Sequence, residues 1–364
     1  MGCSAKPFSR RGCDVEMSNL RDQGAEFWAK WDRPRRVTFV IASIAVVASL
    51  PFAGHFSITN ILNTPISSYQ DVLVYPVGMF VLMALGLNIV VGKSGMLDLG
   101  YVAFFAIGAY SMAILGTHTH LNMWEIFPIG IALAMFAGVL LGIPTLRLRG
   151  DYLAIVTMGF GEIVRITALN TQKIGGPNGI ANIPSPPSLF GLKFNISHPN
   201  SFFWVVLVLI LLTIWMIRRL SIRRPGRAWE AIRQDEDAAE LMGVPTLKYK
   251  IWSFVLGAGV GGAAGVVYAS KAIFISPDAF TFNISVLILS CVVFGGIGNI
   301  WGVVLGGVFL AYLPERIRFI SNARQLVFGI VLVLVMNFRP DGILPRKKRE
   351  KALLTKDDLG GKND

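Results

Sequence analysis

The chain has 364 residues, 53% of them hydrophobic and only 15% charged, with a mean hydropathy of +0.57. A soluble domain carries about 25% charged residues, so this composition excludes a globular protein whose main solvent is water. The net charge of +12 would suggest nucleic acid in a soluble chain, but the basic residues cluster between apolar runs, as in the inside loops of membrane proteins, and no nucleic-acid partner is expected.

Taken from the start, residues 1–36 form a polar extension that ends in Lys30, Arg33, Arg35 and Arg36. No apolar stretch precedes Cys3, so "MGCSAK" is not read as a secretion or lipoprotein signal, and Lys6 spoils a myristoylation pattern. Apolar runs then recur at 37–53, 72–92, 95–115, 126–146, 152–169, 202–217, 251–270, 286–312 and 326–338. Many approach the span of about 20 residues that a bilayer needs. The predicted fold is all-α, a polytopic transmembrane helix bundle over 37–338, followed by a basic and then polar tail at 339–364. Cys3, Cys13 and Cys291 show neither metal spacing nor a disulfide framework.

At the end of the second run and directly before the third, "GLNIVVGKS" (86–94) resembles a phosphate-binding loop. That loop needs four residues between its first glycine and Gly-Lys-Ser/Thr, a strand before it and a solvated helix start after it. Here five residues separate Gly86 from Gly92, and apolar runs flank the segment on both sides. Any ATP the system uses must therefore be held, with its Mg, by another polypeptide, and no cofactor is expected on this chain.

Lys and Arg assign the loops to sides. Residues 54–71 and 116–125 carry none and lie outside; Lys93, Arg147 and Arg149 lie inside; 171–201, rich in Pro and Gly, has only Lys173 and Lys193 and lies outside; 218–250 is the most basic loop and lies inside. The rule then needs the 286–312 run to be broken at "GGIGN" (295–299), so that the basic tail returns inside. Its halves, about 9 and 13 residues, are each too short to cross alone and read as a re-entrant pair buried in protein. The expectation is about eight full spans plus this broken pair, with both termini cytoplasmic.

Small residues recur at four-residue spacing, at Gly138/Gly142, Gly257/Gly261/Gly265 and Gly302/Gly306, a pattern that brings helix backbones together and also suits faces that slide. Glu162 and Arg165, three apart in an apolar run, either neutralise each other or line a solute path in which a zwitterion meets one charge of each sign. Asp98 in "GMLDLGY" is open to the same two readings. His118 and His120 in an outside loop read as solvated rather than metal-binding, and no metal site is expected.

The inside loop 218–250 carries a breaker at Pro225-Gly226, then one amphipathic helix over 227–242 with Trp229, Ile232, Ala239 and Met242 on its apolar face, ended by Gly243 and Pro245. Such a helix either lies on lipid headgroups or plugs into a partner groove; Glu230, Asp235, Glu236, Asp237 and Glu240 favour the partner. "DAAELMG" (237–243) resembles the EAA-type coupling loop of ABC importer permeases, with Asp237 in place of the usual Glu. "LGLNIVVGKSGMLDLGYVAFFAIGAY" (85–110), "TLRLRGDYLAIVTMGFGEIVR" (145–165), "VFGGIGNIWGVVLGG" (293–307) and "NFRPDGILP" (337–345) resemble the permeases of branched-chain amino-acid ABC importers, the longer M-type subunit best.

The resemblance covers roughly 72–345. It implies a prokaryotic inner-membrane subunit working with a second homologous permease, two cytoplasmic ATPases and a soluble extracytoplasmic binding protein. The ATPases would couple through Arg227, Glu230, Asp237, Ala238, Ala239 and Gly243, and solute would pass near Asp98, Tyr101, Glu162 and Arg165. Where the family commonly has a small residue and then Gly-His, this chain has Asp98 and Tyr101, which leaves the solute open among amino acids, urea, amides and aromatic acids. The 1–36 extension has no counterpart in the resemblance. The rival is an ion-coupled secondary transporter of a small polar solute using Asp98, Glu162 and Arg165 as a relay.

Overall fold

The computed structural model describes residues 69–119, 121–145, 151–188, 194 and 199–316, with isolated positions at 326, 329, 330, 333 and 342–344. The 1–36 extension, the expected first span, His120, Arg147, Arg149, most of the expected last span and nearly all of the tail lie outside the described residues. The chain divides into two compact units, Met1–Ser57 and Ile58–Asp364, and every described residue belongs to the second.

Every regular element among the described residues is a helix, apart from one isolated antiparallel bridge between Ile180 and Ile275. In chain order the helices are α1 (Gln70–Lys93), α2 (Val102–His118), α3 (Met123–Thr145), α4 (Asp151–Asn170), α5 (Pro199–Ile222), α6 (Arg224–Gln234), α7 (Glu236–Leu241), α8 (Thr246–Ala272), α9 (Phe282–Gly295) and α10 (Ile300–Arg316). Among the described residues, six stretches are long and apolar enough to cross a membrane, within α1, α3, α4, α5, α8 and the segment Pro277–Gly295.

Burial sorts them. The apolar window of α1 is 94% buried and that of α8 72%, against 28% for α4. "MFVLMALGL" in α1 is apolar on all sides, the composition of a helix surrounded by others. Helices α3, α4 and α5 instead turn Phe136, Leu140, Ile163 and Trp215 outward, side chains that only hydrocarbon or another apolar subunit solvates well. The Gly257/Gly261/Gly265 face of α8 lies against α1 and α2. A Cβ on Gly265 would stand 2.1 Å from the Phe105 carbonyl oxygen, and one on Gly108 2.1 Å from that of Gly262. These backbones touch, and any larger residue would force them apart.

The break expected at 295–299 is present, with Gly296 at φ 115° and Gly298 at φ 87°, and Gly302 packs on the Gly295 carbonyl. The arms are 14 and 17 residues long, longer than the sequence suggests. Asn283 and Ser285 hide the start of α9, but Ser285 is buried and its Oγ accepts the Val102 N–H at 3.1 Å. With the turn Pro277–Phe280, the first arm belongs to a stretch of 19 residues that is long enough to cross by length and composition. The 95–115 run differs as well: it is unwound up to Tyr101, because Gly95 takes φ 78° and the Asp98 Oδ1 accepts the Gly100 N–H at 2.9 Å.

Candidate functional site

The loop 218–250 forms two helices, not one. Pro225 begins α6 in its first turn, where a missing N–H costs nothing, so it starts a helix and does not merely break one. The single helix expected over 227–242 is interrupted at Asp235, which is extended (φ −157°, ψ 116°) and accepts the Ala238 N–H on its Oδ1 at 3.0 Å. An aspartate in that role caps a new helix. Helix α7 closes at Gly243, φ 81°, whose N–H reaches the Glu240 carbonyl at 2.9 Å while the Val244 N–H reaches that of Ala239 at 3.0 Å. This double bond pattern seals a helix end through a left-handed residue, which glycine adopts without strain.

The underside of this pair is fastened to the membrane helices at three points. The Trp229 indole N–H donates to the Tyr249 carbonyl at 2.7 Å, and the ring is 2% exposed. Lys250 Nζ donates to Glu236 Oε1 at 2.5 Å, with the lysine side chain 5% exposed. Arg233 Nη1 donates to the Gly92 carbonyl at the end of α1, and its stem rests on Gly95. Ile232 and Ala239 are buried with Trp229. Met242, expected on that face, is 84% exposed beside Leu241 at 88%. The interruption at Asp235 changes the register, and Met242 falls on the cap rather than on the buried stripe. Ala238, Asp237 and Gly243 are exposed, and the Cβ direction of Gly243 is open; Arg227 is exposed and Glu230 half-buried.

From Gly92 the contacts continue inward. Asn88 Oδ1 accepts the Gly298 N–H at 2.9 Å, inside the break between α9 and α10, and a Cβ on Gly92 would stand 2.7 Å from that same nitrogen. The stretch resembling a phosphate-binding loop is thus the helical end of α1, where Ser94 Oγ donates to the Val90 carbonyl at 2.6 Å.

The candidate solute residues separate into two groups. Asp98 and Tyr101 are fully buried. The Tyr101 hydroxyl donates to the Gly257 carbonyl at 2.8 Å, whereas Asp98 Oδ2 meets no hydrogen-bond partner. Glu162 and Arg165 stand together on α4, half-exposed, with Arg165 Nε donating to the two carboxylate oxygens at 3.0 and 3.1 Å. Arg165 Nη1 also lies 3.9 Å from Asp278 in the turn after α8, not against Asp98. The charges on α4 lie near the middle of a span, where an unpaired charge is costly.

The family described as branched-chain amino acid transport system / permease component matches residues 71–336. The chain belongs to this family. The permease is 42% identical over 295 residues to the high-affinity branched-chain amino acid transport system permease protein LivM of Escherichia coli (strain K12), covering 75% of this chain and 69% of the relative. To LivH of that organism, likewise named a high-affinity branched-chain amino acid transport system permease protein, it is 30% identical over 178 residues, 46% of this chain and 57% of the relative. To the autoinducer 2 import system permease protein LsrC of Salmonella paratyphi B it is 24% identical over 311 residues, 82% and 84% of the two chains. No solved structure matches. Sequence reasoning missed Asn88, Arg233, Lys250 and Asp278 in this permease. Lys250 and Asn88 carried a signal, as polar residues at or inside apolar runs; Arg233 and Asp278 look like ordinary loop charges until the chain is folded.

Proposed function

We infer that the permease is one membrane subunit of an ATP-driven importer for branched-chain or other hydrophobic amino acids. Two cytoplasmic ATPases, carrying ATP and Mg, dock on the loop around Arg227, Glu230 and Asp237–Gly243. A second homologous permease completes the membrane part, a soluble binding protein delivers solute from outside, and both termini are cytoplasmic. One observation carries the reading. Helices α6 and α7 hold an apolar tip, Leu241 and Met242, out to solvent while their underside is fastened to α8 and to the end of α1. A partner that seats on the tip and moves it drags the most buried spans with it, which is what alternating access requires. The names of the relatives support the solute class, and Glu162 with Arg165 offers a zwitterion one charge of each sign.

The rival, coupling to an ion gradient, draws on the unpartnered oxygen of Asp98. Purifying the tagged chain in mild detergent, with stoichiometry of whatever accompanies it, tests the assembly. A phosphate-loop ATPase and a second permease of similar size are expected; the chain alone, or only with itself, would overturn the reading.

A further inference from the structure

The charges of the loop 218–250 are segregated along it. Arg218, Arg219, Arg223, Arg224 and Arg227 fall within ten residues that contain no acid, whereas Glu230, Asp235, Glu236, Asp237 and Glu240 follow. Helix α6, with 11 residues, sets the two ends about 16 Å apart. Arg223, Arg224 and Arg227 line an open recess of about 450 Å³ with Pro225. All three are exposed, and among the described residues none of them makes an ion pair. Unpaired guanidinium groups gathered around one recess are a match for a phosphate ester, whose oxygens accept their forked donors.

What leads up to the recess decides which phosphate. Val208, Leu212, Trp215, Arg219 and Ile222 recur at helical spacing on the outward side of α5, and all five are exposed. The apolar members make a stripe that runs down the span and ends at Ile222, 81% exposed, directly before Arg223. Beside it the Arg218 guanidinium lies 5.1 Å from the centre of the Trp301 ring, an aromatic–cation pair of the kind found at the level of lipid headgroups. An apolar stripe leading into a basic recess is complementary to an acyl chain joined to an anionic headgroup.

We propose that Arg223, Arg224 and Arg227, with the α5 stripe, form a binding site for an anionic phospholipid of the cytoplasmic leaflet. The bound lipid holds the basic end of α6 at the membrane surface, with Arg227 standing where the lipid site meets the docking loop, and leaves the exposed Leu241–Met242 tip to a protein partner. The site is independent of what drives transport.

The test uses the full chain in detergent and native mass spectrometry. Dioleoyl phosphatidylglycerol, dioleoyl phosphatidylcholine and inorganic phosphate are titrated separately. Phosphatidylglycerol should be retained, and the triple variant R223Q/R224Q/R227Q should bind it about a hundredfold more weakly, from about 1 kcal/mol per basic residue. Phosphatidylcholine should bind the native chain and the variant alike. Equal retention of phosphatidylglycerol by the triple variant would overturn the proposal, and so would inorganic phosphate competing it off at matched concentration. Should the triple variant fail to fold, the single variants R223Q and R224Q are titrated in its place, and each should retain phosphatidylglycerol about fivefold more weakly, from about 1 kcal/mol per basic residue. Retention by both single variants equal to that of the native chain would refute the proposal.

Discussion

Removing the Lys250–Glu236 pair should loosen the loop 218–250 from α8 without emptying the core. Lys250 is 5% exposed and Glu236 27%, so the pair lies between two regimes. An exposed pair contributes about 0–1 kcal/mol, and losing one member of a fully buried pair costs about 3–5 kcal/mol. Access of water to Glu236 pulls the expected interaction energy down to about 1–2 kcal/mol, a factor of roughly 5–30 in the unfolding equilibrium. The assay is a double-mutant cycle with Lys250→Met, Glu236→Leu and the two combined, reading reversible unfolding in mixed micelles titrated with SDS. The combined variant should lose less stability than the sum of the two single changes. In parallel, a protease acting on native membranes should cut within 223–245 faster in Lys250→Met. Additivity within about 0.5 kcal/mol, with unchanged cleavage, would refute the claim that this contact fastens the loop.

Gly243→Trp should abolish uptake while the chain still reaches the membrane, and Gly243→Ala should keep most of it. The Ala variant carries the same left-handed strain at φ 81° but none of the bulk, so equal loss in both would trace the defect to the helix end and not to a partner groove. Arg233→Ala should lower uptake several-fold while ATP hydrolysis by the purified complex continues, since the loop would no longer hold Gly92; parallel loss of both activities would instead indicate failed assembly. Exchanging Glu162 and Arg165 brings an acid beside Asp278, so the exchange is best made with Asp278→Asn. In that background a pair that serves only packing should recover much of the uptake lost in either single change, and a pair that contacts solute should not.

The glycine-rich break was legible because Gly295, Gly296 and Gly298 interrupt an apolar run that had to turn for the positive residues to fall on one side. The start of its first arm was not, because Ser285 looks like a loop residue until its partner, the Val102 N–H, is found 183 positions away. The resemblance of Asp237–Gly243 to a coupling loop was legible in the sequence, yet the division of the loop 218–250 into two helices was hidden. Asp235 reads as one acid among five on a surface helix, and only the backbone reveals it as a cap. Tyr101 shows the same limit from the other side. Its departure from the usual family residue drew attention to solute, while in the fold its hydroxyl is committed to Gly257 on α8. Periodicity exposes which residues share a helix face; it is silent on contacts between residues far apart in the chain, and the three fastenings of α6 and α7 are of that kind or depend on a cap.

Uptake into proteoliposomes holding the purified complex, with binding protein and labelled leucine outside, ATP inside and ionophores abolishing the proton and sodium gradients, tests the central claim most directly. The account predicts uptake that requires internal ATP and is indifferent to the ionophores. Uptake that ceases with the gradients while ATP is maintained would contradict it.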